Sequence, residues 1–175
     1  DNSWVTTGFL NFPWAPSIDG EFLKDNPEKL VEDGKYPKKD VLLGVNKDEG
    51  TFWVVYSLPG FSKDNSSVQT HKMFLKGIDI IDFDLNADTR SRIKKLYTPA
   101  DKNNGADNRD ALCHLCGERA FVCPTEELAM TMSKAGSKVY FYYLSYRAST
   151  EVWPDWMGVI HGADIQVMGY TGLRS

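Results

Sequence analysis

The chain has 175 residues, 42% of them hydrophobic and 13% aromatic, which suits one globular, soluble unit with a buried core. A net charge of -4 and a pI near 5.4 offer no basic surface for a phosphate backbone, so nucleic acid is excluded as a partner. The longest apolar runs, Val41 to Val45 and Val139 to Leu144, are far too short to span a bilayer.

Punctuation dominates the first forty residues, where Pro13, Pro16, Gly20, Pro27, Gly34 and Pro37 predict an irregular crossing segment with one short helix near Glu28 to Asp33. Val41 to Val45 is apolar without alternation, as expected of a strand buried on both faces of a parallel sheet. Glu49 follows just past its C-terminal end, the edge where open α/β sheets collect ligands and catalytic groups. Thr51 to Tyr56 reads as a short aromatic helical turn ended by Pro59 and Gly60. The polar stretch Ser62 to Thr70 is expected to be an exposed loop, and it holds the sequon Asn65-Ser66-Ser67.

Helical patterns then follow at Thr70 to Ile81, Asn86 to Tyr97, Asn108 to Cys123 and Thr125 to Ala135. The third sets Leu112, Cys116, Ala120 and Cys123 on one side, and Pro124 is expected to stop it. Gly136 suits the left-handed position that closes the fourth. Lys138 to Tyr146 predicts a second buried strand, and His161 follows on a loop between Gly158 and Gly162. Two strands separated by helices make the fold class α/β. A sheet of two strands leaves open edges and uncovered apolar faces, so these residues are not expected to fold alone.

Cys113, Cys116 and Cys123 are an odd number, so in an oxidising compartment at least one is free or pairs outside the chain. Cys113, His114 and Cys116 lack a fourth ligand and lie on a helical pattern, which favours buried thiols over a metal site.

Five segments, taken in order, resemble the cholinesterases of the type-B carboxylesterase group: Ser17-Ile18-Asp19-Gly20-Glu21-Phe22, Gly44 to Gly50, Pro59-Gly60-Phe61-Ser62-Lys63-Asp64, Tyr146-Arg147-Ala148-Ser149 and Trp153 to Gly162. The resemblance implies an α/β-hydrolase fold, present here only as its C-terminal part and incomplete as given. It implies hydrolysis of choline esters outside the cell, secreted or at the cell surface, with no cofactor and no metal. It makes Glu49 the acid and His161 the base of a Ser-His-Glu triad. Asp48 offers an alternative acid one position away, but the family places its acid immediately before the glycine that is Gly50 here. No G-x-S-x-G elbow occurs in these residues, and triads of this kind run serine, acid, histidine along the chain. The nucleophile is therefore expected upstream of Asp1, and residues 1–175 are expected to form the C-terminal portion of one catalytic domain.

The resemblance extends to a substrate pocket. It places Leu10 and Phe12 at the positions that set acyl-pocket width, where one aliphatic residue predicts tolerance of acyl groups somewhat larger than acetyl. Phe52 and Trp53 match the aromatic pair after the acid, facing the choline side and the gorge. Tyr56 matches a gorge-rim position, Trp153 a gorge-lining tryptophan, Trp156 a packing tryptophan, and Trp4 a peripheral-site tryptophan at shorter spacing. Rings suit a quaternary ammonium because cation–π attraction contributes roughly 0.5–2 kcal/mol per contact. Ala163 stands where the family usually carries tyrosine, which removes a ring from the cation pocket. Asp164 stands where a glutamate usually supports the triad histidine, on a shorter arm. Cys123 matches a cysteine whose disulfide partner lies beyond Ser175, and Asn65 is the expected glycosylation site. Self-association is expected to run through sequence C-terminal to these residues.

Two other readings share these motifs. A general carboxylesterase without choline selectivity is favoured by Ala163 and opposed by Phe52, Trp53 and Trp153. A non-catalytic adhesion domain of the neuroligin kind is opposed by retention of both Glu49 and His161.

Overall fold

The computed structural model describes residues 9, 10 and 16–168. Helix α1 spans Pro27–Glu32, where Asn26 caps it by accepting the Glu28 N–H and Pro27 occupies the first turn, where its missing N–H costs nothing. Strand β1 spans Val41–Asn46 and β2 spans Val139–Leu144. They pair in parallel from Val41 opposite Val139 to Asn46 opposite Leu144, forming a two-stranded sheet. The crossover between them is helical: α2 (Glu49–Ser57), α3 (His71–Ile81), α4 (Ala87–Tyr97), α5 (Gly105–Gly117), a π turn (Glu118–Val122) and α6 (Cys123–Lys134). A short 3-10 turn, Asp155–Met157, and helix α7, Ala163–Met168, complete the order.

Polar residues just ahead of the helices fix where they begin. Thr70 accepts the Met73 N–H ahead of α3, Asn86 the Thr89 N–H ahead of α4, and Asn104 the Ala106 and Asp107 N–H groups ahead of α5. The principal core lies between α2, α3 and α5, where Val54, Leu58, Phe74, Ile78, Ile81, Leu112 and Leu115 are buried. Among the described residues, no helix is long and apolar enough to cross a membrane.

Several sequence expectations need revision. β1 is not buried on both faces: Leu42 is 68% exposed, and burial is complete only at Val45 and Asn46. Tyr140, Phe141 and Tyr143 on β2 are exposed as well, because a two-stranded ladder covers little apolar surface even with α6 packed against it. The segment after Gly50 is a full helix that begins at Glu49, longer than the single turn expected. Ser67 and Gln69 are buried within the otherwise exposed 62–70 loop.

Pro124 does not stop the helix before it. The π turn carries the chain on, with the Cys123 N–H reaching back to Glu118 O, and Pro124 then falls in the first turn of α6, where it has no donor to lose. The wider turn also shifts the helical phase. Leu112 and Cys116 face the core as predicted, but Cys123 is exposed rather than continuing their stripe. Gly136, at φ +93, does close α6 in the left-handed region.

Candidate active site

The parallel pairing brings the C-terminal ends of both strands together, and the site is assembled there. Beyond β1 the ladder continues by one bridge, Asp48 opposite Ile160, which lays the 158–161 loop against the strand end. Asp48 holds that loop twice: its N–H donates to Val159 O at 3.0 Å, and its Oδ2 accepts the Val159 N–H at 2.8 Å. Thr51 Oγ1 lies 2.7 Å from Met157 O and adds a third tie. Gly158 is required at this point, since its φ is +65 and a Cβ there would overlap the Asp48 carboxylate.

Glu49 sits in the first turn of α2 and is 6% exposed. Its Oε1 accepts the Asn46 N–H at 2.7 Å, and its Oε2 lies 2.6 Å from Nδ1 of His161. The His161 side chain remains 37% exposed. Position at the positive end of α2 suits a carboxylate. The two acids after Lys47 therefore have separate duties: Asp48 clamps backbone, and Glu49 meets the imidazole.

Asn46 ties the arrangement to α7. Its Nδ2 donates to Ile160 O at 3.0 Å and to Asp164 Oδ1 at 3.2 Å, while Tyr142 OH donates to Asp164 Oδ2 at 2.7 Å. Burial alone would raise the Asp164 pKa, but the bonds from Tyr142 and Asn46 outweigh it and hold the carboxyl below its ordinary value. Burial, with the Asp164 bond behind it, pushes the Tyr142 hydroxyl up to about 12. Asp164 thus meets Asn46, whose own N–H meets Glu49. That is the route by which its shorter arm reaches the acid–imidazole pair.

Aromatic rings surround the imidazole. Phe121 lies 4.5 Å away between centroids, Trp53 5.4 Å and Phe52 6.4 Å. Phe52 also meets Trp153 edge-on at 5.5 Å and Tyr56 at 4.9 Å. Four of the expected pocket residues, Phe52, Trp53, Tyr56 and Trp153, therefore form one contiguous set, with Tyr56 the most exposed. Trp156 packs instead, under the Arg109 guanidinium at 5.1 Å. Ala163 is buried in one cluster with Met157, Val159 and Ile160, and Phe52 and Trp153 pack against that cluster. Leu10 is half-buried at φ +55, while Phe12 and Trp4 lie outside the described residues.

Sequence reasoning passed over Asn46, Thr51, Tyr142 and Phe121. A polar residue ending an apolar strand was the available signal for Asn46, whereas Phe121 carries none in its helical pattern. Behind Glu49 lies a cleft of about 190 Å³ lined by Lys47, Gly50, Cys113, His114 and Tyr143, on the acid rather than the imidazole. Both Cys113 and Cys116 are buried, and desolvation pushes their thiols well up. Among the described residues, no group of three or more His, Cys, Asp or Glu could hold a metal ion. Asn65 is exposed, with Oδ1 accepting the Ser67 N–H at 2.7 Å.

Chemically, a carboxylate on one imidazole nitrogen fixes the tautomer and stabilises the imidazolium, which leaves the other nitrogen to take and return a proton. The chain matches the sequence profile of the Carboxylesterase family over residues 1–173. It is 39% identical over 170 residues to an acetylcholinesterase of Bungarus fasciatus, a match covering 95% of this chain and 28% of that protein. It is also 39% identical over 157 residues to an acetylcholinesterase of Myxine glutinosa, covering 89% of this chain and 46% of that protein. The chain thus spans less than half the length of these relatives.

Proposed function

Because this chain belongs to the carboxylesterase family, we propose that residues 1–175 are the C-terminal portion of the catalytic domain of a secreted or cell-surface serine hydrolase of choline esters, with an α/β-hydrolase fold. His161 is its base and Glu49 its acid. The observation that carries this reading is the 2.6 Å contact between Glu49 Oε2 and His161 Nδ1, made across 112 residues of sequence by a buried carboxylate and a half-exposed imidazole.

The nucleophilic serine belongs to sequence outside these residues. His161 takes the serine hydroxyl proton as oxygen attacks the ester carbonyl, then returns it to the departing choline; water repeats the sequence to release the acid. Glu49 stabilises the imidazolium. Phe52 faces the quaternary ammonium, Trp53 and Trp153 line the gorge that leads to it, with Tyr56 at the rim, and Leu10 and Phe12 bound the acyl group. Leucine leaves more room than a second ring, and each added methylene shifts discrimination by only about 1–3 kcal/mol. Asn65 carries a glycan, and Cys123 pairs with a cysteine outside these residues.

The test compares the complete protein with residues 1–175 expressed alone, using acetylthiocholine. Turnover is expected from the former and abolished there by His161→Ala; serine-dependent turnover by residues 1–175 alone would refute the assignment. A general carboxylesterase is favoured by one observation, the alanine at position 163, which supplies no ring to the buried cluster it forms with Met157, Val159 and Ile160. Comparing a choline ester with its uncharged isostere in the complete protein separates the two: equal kcat/KM establishes the general esterase.

A further inference from the structure

We infer that Phe121 is a positioning residue for the His161 imidazole and that the π turn over Glu118–Val122 is the local device that brings its ring there. This rests on the reading of His161 as the base and deepens it.

Of the three rings around the imidazole among the described residues, Phe121 is the nearest, at 4.5 Å between centroids and 37° between planes. It also stacks on Trp53, at 6.1 Å and 21°, so that two helical segments supply one aromatic frame. The frame matters because, among the described residues, the bond from Nδ1 to Glu49 is the one hydrogen bond that tethers the ring. A ring held at one nitrogen still swings about that bond, and the swing moves the opposite nitrogen, whose position proton transfer depends on. Flat neighbours remove this freedom without competing for a hydrogen bond. Their faces also attract the imidazolium formed during reaction, which an aliphatic side chain does not.

The local backbone explains why a phenylalanine in this helix can serve. Continued as a regular α-helix, the stripe of Leu112 and Cys116 would carry Ala120 and Cys123 inward. The π turn inserts extra arc, Cys123 turns out to solvent, and Phe121 reaches the imidazole. Such wide single turns recur where a helix must re-aim a side chain at a functional site. The helix end is also registered against the acid: a Cβ on Gly117 would lie 2.9 Å from Gly50 N and 3.4 Å from Glu49 Cβ. One helix contact thereby sets the acid and the ring relative to each other.

The test uses the complete protein and acetylthiocholine, with Phe121→Leu, Phe121→Tyr and His161→Ala. Phe121→Leu is expected to lower kcat roughly tenfold, within the 10²-fold that a small misplacement costs, with KM changed by less than about twofold. Phe121→Tyr should restore most of the rate. The low-field proton resonance between His161 and Glu49 should broaden by solvent exchange in the leucine variant and stay sharp in the tyrosine variant. A loss confined to KM, or an unchanged kcat and resonance in Phe121→Leu while His161→Ala is inactive, overturns the role of Phe121 alone. Activity surviving in His161→Ala overturns both readings. Should Phe121→Leu not fold, Phe121→Met keeps the bulk without the flat ring and is judged by the same rate and resonance.

Discussion

The Asp48 carboxylate accepts the backbone N–H of Val159 at 2.8 Å, and this bond settles which of two adjacent acids meets the imidazole. With Asp48 committed to the loop, Glu49 one residue later begins α2 and turns toward His161. The neighbouring carboxylates are chemically alike and separated only by backbone direction.

Exchanging each acid for its amide tests that division. Glu49→Gln removes the charge facing the imidazole and disturbs its tautomer; if Glu49 is the triad acid as proposed, kcat of the complete protein should fall about 10³- to 10⁴-fold, as for triads deprived of their acid. Asp48→Asn retains an oxygen acceptor for the Val159 N–H, and its kcat should fall less than about tenfold. Steady-state kinetics on both variants, with circular dichroism to verify folding, provide the check. Equal losses would contradict the separate duties.

Close approach of α2 and α5 predicts a stability effect away from the imidazole. A Cβ at Gly50 would overlap the Cys113 carbonyl oxygen and crowd Gly117 N, and both obstacles are backbone that cannot rotate aside. Gly50→Ala should therefore destabilise by about 1–3 kcal/mol, as overpacking of a tight interior contact does. Urea unfolding followed by tryptophan fluorescence would measure it as a lower midpoint at unchanged slope.

Acid sensitivity follows from Asp164. Its folded pKa lies below the ordinary 3.8, since the bonds from Tyr142 and Asn46 overcome the effect of burial. Above 3.8 the group is ionised in folded and unfolded chains alike, and its contribution to stability is complete; as pH falls below 3.8 the unfolded chain binds its proton first, and the contribution is lost through the folded pKa. Tyr142→Phe removes one donor and should flatten this part of the stability–pH curve below 3.8, with little change in slope near neutrality. Denaturation midpoints across that acid range would detect it.

Thiol accessibility separates the cysteines. Cys113 and Cys116 are buried, whereas Cys123 is exposed at the start of α6. If Cys123 pairs outside these residues as proposed, the native complete protein should leave all three cysteines of this segment unlabelled by an aromatic disulfide reagent. Unfolding without reduction should then release Cys113 and Cys116 but not Cys123. Peptide mapping by mass spectrometry identifies the labelled positions; rapid native labelling of Cys123 would contradict the pairing.

By itself the sequence determined the alternation of strands and helices, the helix starts at Asn86 and Thr70, the placement of Glu49 past a strand end, and the glycine loop carrying His161. These depend on local chemistry: caps, apolar runs and turn residues act within a few positions of one another. Tertiary structure alone decided the rest. Pairing of β1 with β2 brought two distant loops together, the Val159 N–H took Asp48 and left the imidazole to Glu49, and the π turn moved Phe121 toward it while Cys123 went to solvent. Periodicity cannot register an added residue of arc in a helix, nor which of two like carboxylates will be claimed by a backbone donor 111 positions away. Both outcomes depend on contacts that exist only once the chain has closed on itself.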